Sequence, residues 1–267
     1  MYLRKVSLNK PVRMVWNIDP AIFKVGFLEL RYYGILFASG VMAAFYLTSY
    51  ILTEKRVTKN QMDSLLIYVV AGIILGAHFI HLVFYEPESF LNNPVRIIQL
   101  GSGLASHGGL LGGCLGVYLF CRRNKKDFST FLGAIFFGVP LAGAFVRIGN
   151  FFNSEIIGKP TESIFGIVFQ RIDTVARHPS QLYEAVFLLL LFSLFFWLHK
   201  QKPRVGGFFF YAFVIAYFGF RFFIEFTKEH QSSLNDGTQL LTMGQWLSIP
   251  AVLVGIYFLK SQKTVDQ

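Results

Sequence analysis

Seven apolar runs, separated by short polar segments, dominate the pattern of the chain. Each is close to the roughly 20 residues that a helix needs to cross a bilayer. Because backbone groups cannot stay unpaired against lipid, every run is predicted to be helical. The pattern predicts an all-α, polytopic membrane protein with about seven transmembrane helices, forming a single integral-membrane domain over residues 1–267. The runs cover approximately 30–52, 65–85, 104–121, 129–147, 182–198, 206–226 and 243–260.

The third run is rich in glycine, which predicts that it approaches a neighbouring helix closely and lies inside the bundle. Its glycines are Gly108, Gly109, Gly112, Gly113 and Gly116.

Basic residues collect in alternate loops, at 52–64, 122–128 and 199–205, and in the C-terminal tail. Cytoplasmic loops of membrane proteins carry this excess, so these segments and the C-terminus are predicted to be cytoplasmic. The N-terminus and the loop regions 86–103, 148–181 and 227–242 then face outward. The first 25 residues are also basic and show no secretory signal, so the first apolar run is expected to insert and stay as a span.

Composition agrees with a membrane protein, since 54% of residues are hydrophobic, 15% are charged and the mean hydropathy is +0.49. Soluble domains carry about 25% charged residues. The net charge of +10 is therefore interpreted as anchoring to an anionic lipid bilayer, and no nucleic-acid partner is predicted. Cys114 and Cys121 would lie about 10 Å apart along a helix, which predicts no disulfide between them.

A strip of polar residues follows the fourth run, in and just before the outward region 148–181. It contains Arg147, Asn150, Asn153, Glu155 and Gly158. Arg147 alone could extend to the lipid interface, as arginines at span ends do. A carboxylate and two amides nearby favour a polar site instead, because a buried guanidinium needs an anionic partner. Beyond the strip, residues 164–169 are predicted to form a short strand or hairpin.

A second polar face lies in the sixth run, where Tyr217, Arg221 and Glu225 recur every four residues. Arg221 and Glu225 could satisfy each other as an ion pair. Alternatively, Arg221 is a second guanidinium which, together with Arg147, clamps a phosphate, a geometry that lysine provides less well.

His107 stands at the outer mouth of the third run, beside two glycines. It is either a structural hydrogen-bonding residue or, with an unperturbed pKa of about 6.5, a proton acceptor.

Tyr33 either belongs to the outer aromatic belt or points inward. His78 and His81 have no Cys, Asp or Glu nearby at ligand spacing, and no metal or cofactor site is predicted. Sequence motifs of serine hydrolases, zinc proteases and nucleotide-driven proteins are absent, as are internal repeats typical of transporters.

Taken together, the chain resembles bacterial prolipoprotein diacylglyceryl transferases almost from end to end. The twelve-residue segment at 147–158 is the most specific match. The matching segments are IDPAIF at 18–23, LRYYG at 30–34, SHGG at 106–109, RIGNFFNSEIIG at 147–158, RHPSQLYEA at 177–185, YFGFRFFIE at 217–225 and MGQ at 243–245.

The resemblance implies a bacterial plasma (inner) membrane enzyme that transfers diacylglycerol from phosphatidylglycerol to the lipobox cysteine of a preprolipoprotein. It implies that Arg147 and Arg221 stabilise the departing phosphate and that His107 accepts the proton of the thiol. The substrate-binding and orienting positions that it implies are Tyr33, Asn150, Glu155, Gly158 and Tyr217, besides Arg147 itself.

The chain also departs from the family pattern at five positions, which are His78, His81, Leu100, Ala105 and Val146. Two alternatives to the transferase stay open, and the departures motivate the second of them. One is a transporter in which the two arginines bind an anion or phospholipid in transit. The other is an inactive paralogue that binds lipid without turnover.

Overall fold

The structure is a computed structural model that describes residues 13–26, 28–53, 55–84, 86–99, 105–202, 206–228 and 241–263. Seven long helices coincide with the seven predicted runs. A short helix, α3, covers Pro87–Asn92, and 3-10 turns cover Pro94–Ile98 and Glu225–Thr227. The long helices are α1 (Tyr32–Thr53), α2 (Lys59–Phe84), α4 (Ser106–Asn124), α5 (Phe128–Phe152), α6 (Ser180–Gln201), α7 (Phe208–Ile224) and α8 (Met243–Lys263).

Among the described residues, five helices are long and apolar enough to cross a membrane: α1, α2, α5, α6, and α7 together with its 3-10 extension. The predicted all-α, multi-pass fold class is therefore confirmed. The exact number of spans stays a prediction.

Several helices extend beyond the apolar runs because polar residues cap their ends. At the start of α2, the Thr58 hydroxyl accepts from the Gln61 amide nitrogen (3.3 Å) and the Gln61 side chain accepts from the Thr58 nitrogen (3.1 Å). The Asp127 carboxylate accepts from the Thr130 nitrogen (2.7 Å) at the start of α5. Lys125 ends α4 in the left-handed conformation. Capping thus adds polar turns that hydrophobicity alone does not show.

Two small sheets accompany the helices. In the first, β1 (Met14–Trp16) pairs in parallel with β4 (Ile167–Phe169), and β4 pairs antiparallel with β5 (Ala176–Arg177). The second is a hairpin of β2 (Ala21–Val25) and β3 (Leu28–Arg31). Strand β4 lies within the segment 164–169, as predicted, whereas the three N-terminal strands were not predicted.

The internal contacts divide the chain into two compact units, which are described separately. The first comprises Met1–Ala43, Val139–Phe195 and Phe213–Tyr257, and the second comprises Ala44–Gly138, Phe196–Ala212 and Phe258–Gln267. All candidate site residues except His107 belong to the first unit. The expectation of one integral-membrane domain stays a prediction.

In the second unit, α2 and α4 pack backbone to backbone through glycines. A Cβ atom added to Gly112 would lie 2.0 Å from the carbonyl oxygen of Gly72, and one added to Gly76 would lie 2.4 Å from that of Gly108. The predicted close approach is therefore present. The opposite face of α4 is exposed, including Leu111 at 64%, so the expectation that this helix lies inside the bundle is wrong. Within the described residues, the atoms nearest to the glycines of α4 belong to α2.

Candidate active site

Arg147 and Asn150 lie in the last two turns of α5, which continues to Phe152. Aromatic packing explains this continuation. The ring of Phe151 lies 4.2 Å from that of Trp16 in β1, and the ring of Phe152 stacks on Tyr32 at 4.6 Å. The polar strip thus begins on a rigid helix rather than in a loop, and the three-residue spacing puts Arg147 and Asn150 on one face.

The Arg147 guanidinium is turned toward protein groups. Its Nε atom forms an ion pair with Glu184 of α6, and its Nη1 atom donates to the Asn150 side-chain oxygen (3.5 Å). The hydroxyls of Tyr217 and Tyr33 also interact with it electrostatically. The side chain is 18% exposed. These contacts favour the polar-site interpretation of Arg147 over an extension to the lipid interface.

Glu155 occupies a sharply turned segment directly after α5. Its carboxylate accepts from the side-chain amides of Asn150 (3.2 Å) and Asn153 (3.1 Å). Ser154 and Ile156 on either side have φ values of 56° and 54°, which cost on the order of 1–3 kcal/mol each in residues with a side chain. The surrounding contacts therefore hold this carboxylate in one place against backbone strain.

Tyr33, in the first turn of α1, points toward the cluster formed by Arg147, Asn150 and Glu155. Its hydroxyl interacts electrostatically with Glu155 and Arg147. A Cβ atom added to Gly149 would lie 2.8 Å from the Tyr33 ring, so glycine at that position lets the ring pack against α5. Of the two positions considered for Tyr33, the structure shows the inward one.

Gly158 makes its close approach to the protein itself. An added Cβ atom would lie 2.6 Å from atoms of His178 and Ser180, and the Gly158 nitrogen donates to the His178 carbonyl (2.9 Å). Gly158 also forms an isolated antiparallel bridge with Lys228. The glycine therefore lets three segments of the chain meet.

Tyr217 and Arg221 share a face of α7, because four residues separate them on the helix. Tyr217 stacks on Phe213 (5.2 Å between ring centroids) and interacts with Arg147. Arg221 lies one turn further on and is half-buried. In the part of the chain that the structure describes, no hydrogen bond or ion pair engages its guanidinium. Arg221 thus presents a second guanidinium on the same face of α7 as Tyr217.

The alternative pair of Arg221 with Glu225 does not form among the described residues. Helix α7 ends at Ile224, and Glu225 begins a 3-10 turn, which changes the side-chain direction. The Glu225 carboxylate instead packs at the start of α8, 2.9 Å from the position of a Cβ atom on Gly244. Glycine at this position makes room for the carboxylate at the positive end of the helix.

Two charged residues of the cluster, Glu184 and Lys228, had no assigned role in the sequence analysis. Glu184 is buried and forms ion pairs with both Arg147 and Lys228. A carboxylate near the start of an apolar helix is costly unless it is paired, and that signal was present in the sequence. Its partners could not be identified, because they come from other helices.

His107 lies in the first turn of α4, in the second unit, and its side chain is outside the described part of the structure. Its role as proton acceptor therefore stays a prediction.

Two of the departures from the family pattern have partners within the second unit. His78 is buried and its Nε2 atom bonds a carbonyl oxygen of the turn 94–98 (3.0 Å). His81 bonds the carboxylate of Glu86 (3.2 Å). Both histidines thus tie α2 to the segment that follows it. Leu100 lies outside the described residues.

Comparison with known proteins identifies the family. The profile of prolipoprotein diacylglyceryl transferase matches residues 20–260 of this chain. The chain belongs to this family. It is therefore a transferase, and the resemblance, the enzyme class and the activity inferred from the sequence are confirmed.

Individual members of the transferase family align over nearly the whole chain. A phosphatidylglycerol–prolipoprotein diacylglyceryl transferase of Bacteroides fragilis is 39% identical over 259 residues, covering 91% of this chain and 93% of the relative. The enzyme of the same name from Tolumonas auensis is 40% identical over 246 residues, covering 91% and 95%. That from Rickettsia conorii is 35% identical over 254 residues, covering 91% and 96%.

Proposed function

We propose that the cluster around Arg147 is the active site at which the diacylglyceryl group of phosphatidylglycerol is transferred to the lipobox cysteine of a prolipoprotein. The observation that carries the proposal is that protein groups hold the Arg147 guanidinium through some of its N–H donors and leave others unengaged. A guanidinium has five N–H donors, and Glu184 and Asn150 engage two of them. The Tyr217 hydroxyl also lies against the guanidinium. The N–H donors that these three side chains do not engage are available to a ligand, on a side chain whose orientation is fixed.

The reaction develops negative charge where these donors can act. The substrate sulfur forms a bond to the terminal glyceryl carbon of the diacylglycerol, and the bond from that carbon to the phosphate oxygen breaks. The electron pair of the broken bond stays on the phosphate, and glycerol phosphate leaves. Arg147 and Arg221 stabilise this charge in a site with little water, where such interactions are stronger than in bulk solvent.

The remaining residues of the cluster bind the head group or hold the arginines. Tyr217 and Tyr33 supply hydroxyls beside Arg147, and Asn150 links Arg147 to Glu155. Gly158 allows the surrounding segments to close around the site. None of these roles needs a metal or another cofactor.

The thiol proton needs an acceptor, because a free thiol with a pKa of about 8.5 is mostly protonated at neutral pH. His107 is the proposed acceptor. His107→Gln should lower the transfer rate by about 100-fold or more, as the loss of a general base does. Transfer at the wild-type rate would remove this assignment.

The proposal includes a cellular setting. The partners are phosphatidylglycerol, the lipobox peptide of a preprolipoprotein and the lipid bilayer, in the bacterial plasma (inner) membrane. The N-terminus faces outward and the C-terminus faces the cytoplasm, which follows from the basic loops. The substrate thiol then meets the cluster on the outward side.

A mass assay tests the activity directly. Purified protein is supplied with phosphatidylglycerol labelled in the glyceryl backbone and with a lipobox peptide, and the peptide mass is followed. We expect a mass increase of one diacylglyceryl group, with release of glycerol phosphate. A matched peptide with serine in place of the cysteine should stay unmodified. Lipid binding without any peptide adduct would refute the enzyme and favour the inactive lipid-binding paralogue.

A further inference from the structure

Glu184 joins two cations that come from different parts of the first unit. Its Oε2 atom pairs with Arg147 Nε on α5, and its Oε1 atom pairs with Lys228 Nζ, directly after the 3-10 turn that follows α7. The side chains of Glu184 and Lys228 are 4% and 11% exposed. Both oxygens of a buried carboxylate are therefore engaged by positive charge.

The backbone holds Lys228 at this place. Its nitrogen donates to the Glu225 carbonyl (3.2 Å), and it forms the antiparallel bridge with Gly158. The neighbouring Thr227 carbonyl accepts from the Lys159 nitrogen (2.8 Å). The ammonium group is thus presented to Glu184 from an ordered segment.

The formal charges of Glu155 and Arg221 cancel, so the balance of the cluster depends on Arg147, Glu184 and Lys228. A buried pair of Arg147 and Glu184 alone would be neutral and would attract a phosphate diester weakly. With Lys228 added, two positive charges face one negative charge. The group keeps a net charge of +1, opposite to the charge of one phosphate diester. At the same time Glu184 and Asn150 fix the Arg147 guanidinium through Nε and Nη1.

We propose that Glu184 and Lys228 are positioning residues for the Arg147 guanidinium. Glu184 sets the direction of the guanidinium, and Lys228 neutralises Glu184, so that Arg147 keeps its positive charge for the phosphate of the lipid. The inference rests on the proposed function of Arg147. It assigns no contact with the substrate to either residue.

Amide substitutions test the two roles separately, because glutamine keeps a hydrogen-bonding group and removes the charge. Lys228→Gln should raise KM for phosphatidylglycerol by about tenfold, equivalent to about 1.4 kcal/mol, with kcat changed less than KM. Glu184→Gln should lower kcat by about tenfold without raising KM, because the guanidinium is less well fixed while the net charge becomes more positive.

The double variant Glu184→Gln/Lys228→Gln is the decisive experiment. It removes one charge of each sign and leaves the net charge of the group at +1, so its KM should return to within about threefold of wild type. A double variant whose KM stays as high as that of Lys228→Gln would overturn the neutralising role and indicate direct contact of Lys228 with the phosphate. A wild-type KM in the single Lys228→Gln variant would also overturn it.

Controls separate positioning from folding and from the proposed function. Lys228→Arg keeps the charge and should keep the wild-type KM. Lys24→Met removes a cation on the exposed hairpin, paired with Asp19 and Glu29, and should change neither constant. Thermal unfolding is measured for every variant; a fall in Tm with equal losses of activity in both single variants, and no change in KM, would indicate a structural role only. Absence of turnover in wild type would refute the proposed function itself.

Discussion

At the scale of single residues, the planar arrangement of the N–H donors of Arg147 matters more for phosphate binding than its positive charge does. Nε and Nη1 are held by Glu184 and Asn150, and the remaining donors stay in the same plane. A lysine at this position would supply one charge but no planar pair of donors, and it could not serve both protein partners and a phosphate. Replacing Arg147 by lysine therefore keeps the positive charge and removes the planar donor geometry, so the two effects on activity can be distinguished.

We predict that Arg147→Lys lowers the rate of diacylglyceryl transfer by about 100-fold or more, the range seen when a donor to developing negative charge is lost. Peptide mass over time measures the rate. Arg31→Lys, at an exposed arginine paired with Glu29, is the matched control and should retain full activity. A near-normal rate in Arg147→Lys would contradict the bidentate phosphate role.

Asp173 and Arg177 form another ion pair, which contributes to the stability of the fold rather than to the transfer reaction. Arg177 donates from Nε (2.8 Å) and Nη2 (2.6 Å) to one carboxylate oxygen of Asp173. These hydrogen bonds from Arg177 are the main reason that the pKa of Asp173 is lowered from its usual 3.8. Stability from the pair is therefore fully present above pH 3.8 and is lost as the pH falls through the lower pKa of the folded protein.

We predict that Asp173→Asn lowers the free energy of unfolding at pH 7 by about 0.5–1 kcal/mol, the size expected for a partly exposed pair. Thermal unfolding in detergent at pH 7 measures this difference. The gap between variant and wild type should shrink when both are measured below the lowered pKa, since Asp173 is then protonated in the wild type too. A gap that grew in acid would show that the pair does not stabilise the fold.

Side-chain contacts could be predicted from the sequence for residues that stand close together in the chain, but not for residues that meet only in the folded protein. Arg147, Asn150 and Glu155 stand close together in the sequence, and the structure brings them into one hydrogen-bonded group. The pairing of Glu184 with Lys228 joins residues far apart in the chain, so local spacing held no sign of it. Only the cost of a buried carboxylate pointed to an unknown partner.

At the scale of elements, the helices were predictable and the strands mostly were not. Apolar length defines a helix in lipid without reference to any other segment. The three-residue strand β1, by contrast, exists because it pairs with β4 more than a hundred positions later. The left-handed turns at Ser154 and Ile156 likewise depend on the surrounding contacts, since neither residue favours that conformation.

The packing of α2 against α4 leads to a prediction at this scale. We predict that Gly112→Ala destabilises the protein by about 1–3 kcal/mol, because the new methyl group would lie 2.0 Å from the Gly72 carbonyl oxygen and force the helices apart. Gly109→Ala is the matched control on the same helix. There the nearest atom is a side-chain carbon of Ile73 at 3.5 Å, an ordinary contact. Equal unfolding temperatures for the two variants in detergent would contradict the close packing.

At the scale of the whole molecule, the basic loops and the buried ionic group occupy different positions along the chain. The loops before α2, before α5 and before α7 are rich in basic residues, whereas the buried ionic group lies where α5 ends and α6 begins. Successive spans reverse direction, so these two sets of positions belong to opposite helix ends. With the basic loops in the cytoplasm, as we propose, the buried ionic group would lie at the outward ends of its helices, on the side where an exported prolipoprotein presents its thiol.

We therefore predict that residue 162 is outside the membrane and residue 60 is inside. The test uses Glu162→Cys and Asn60→Cys, two exposed positions, in a chain whose own Cys114 and Cys121 are replaced by alanine. A membrane-impermeant maleimide should label Glu162→Cys in intact spheroplasts and label Asn60→Cys only after lysis. Retained diacylglyceryl transfer shows that each variant is folded. The reverse labelling pattern would invert the orientation and place the Arg147 cluster on the side that exported prolipoproteins have already left, which is incompatible with the proposed reaction.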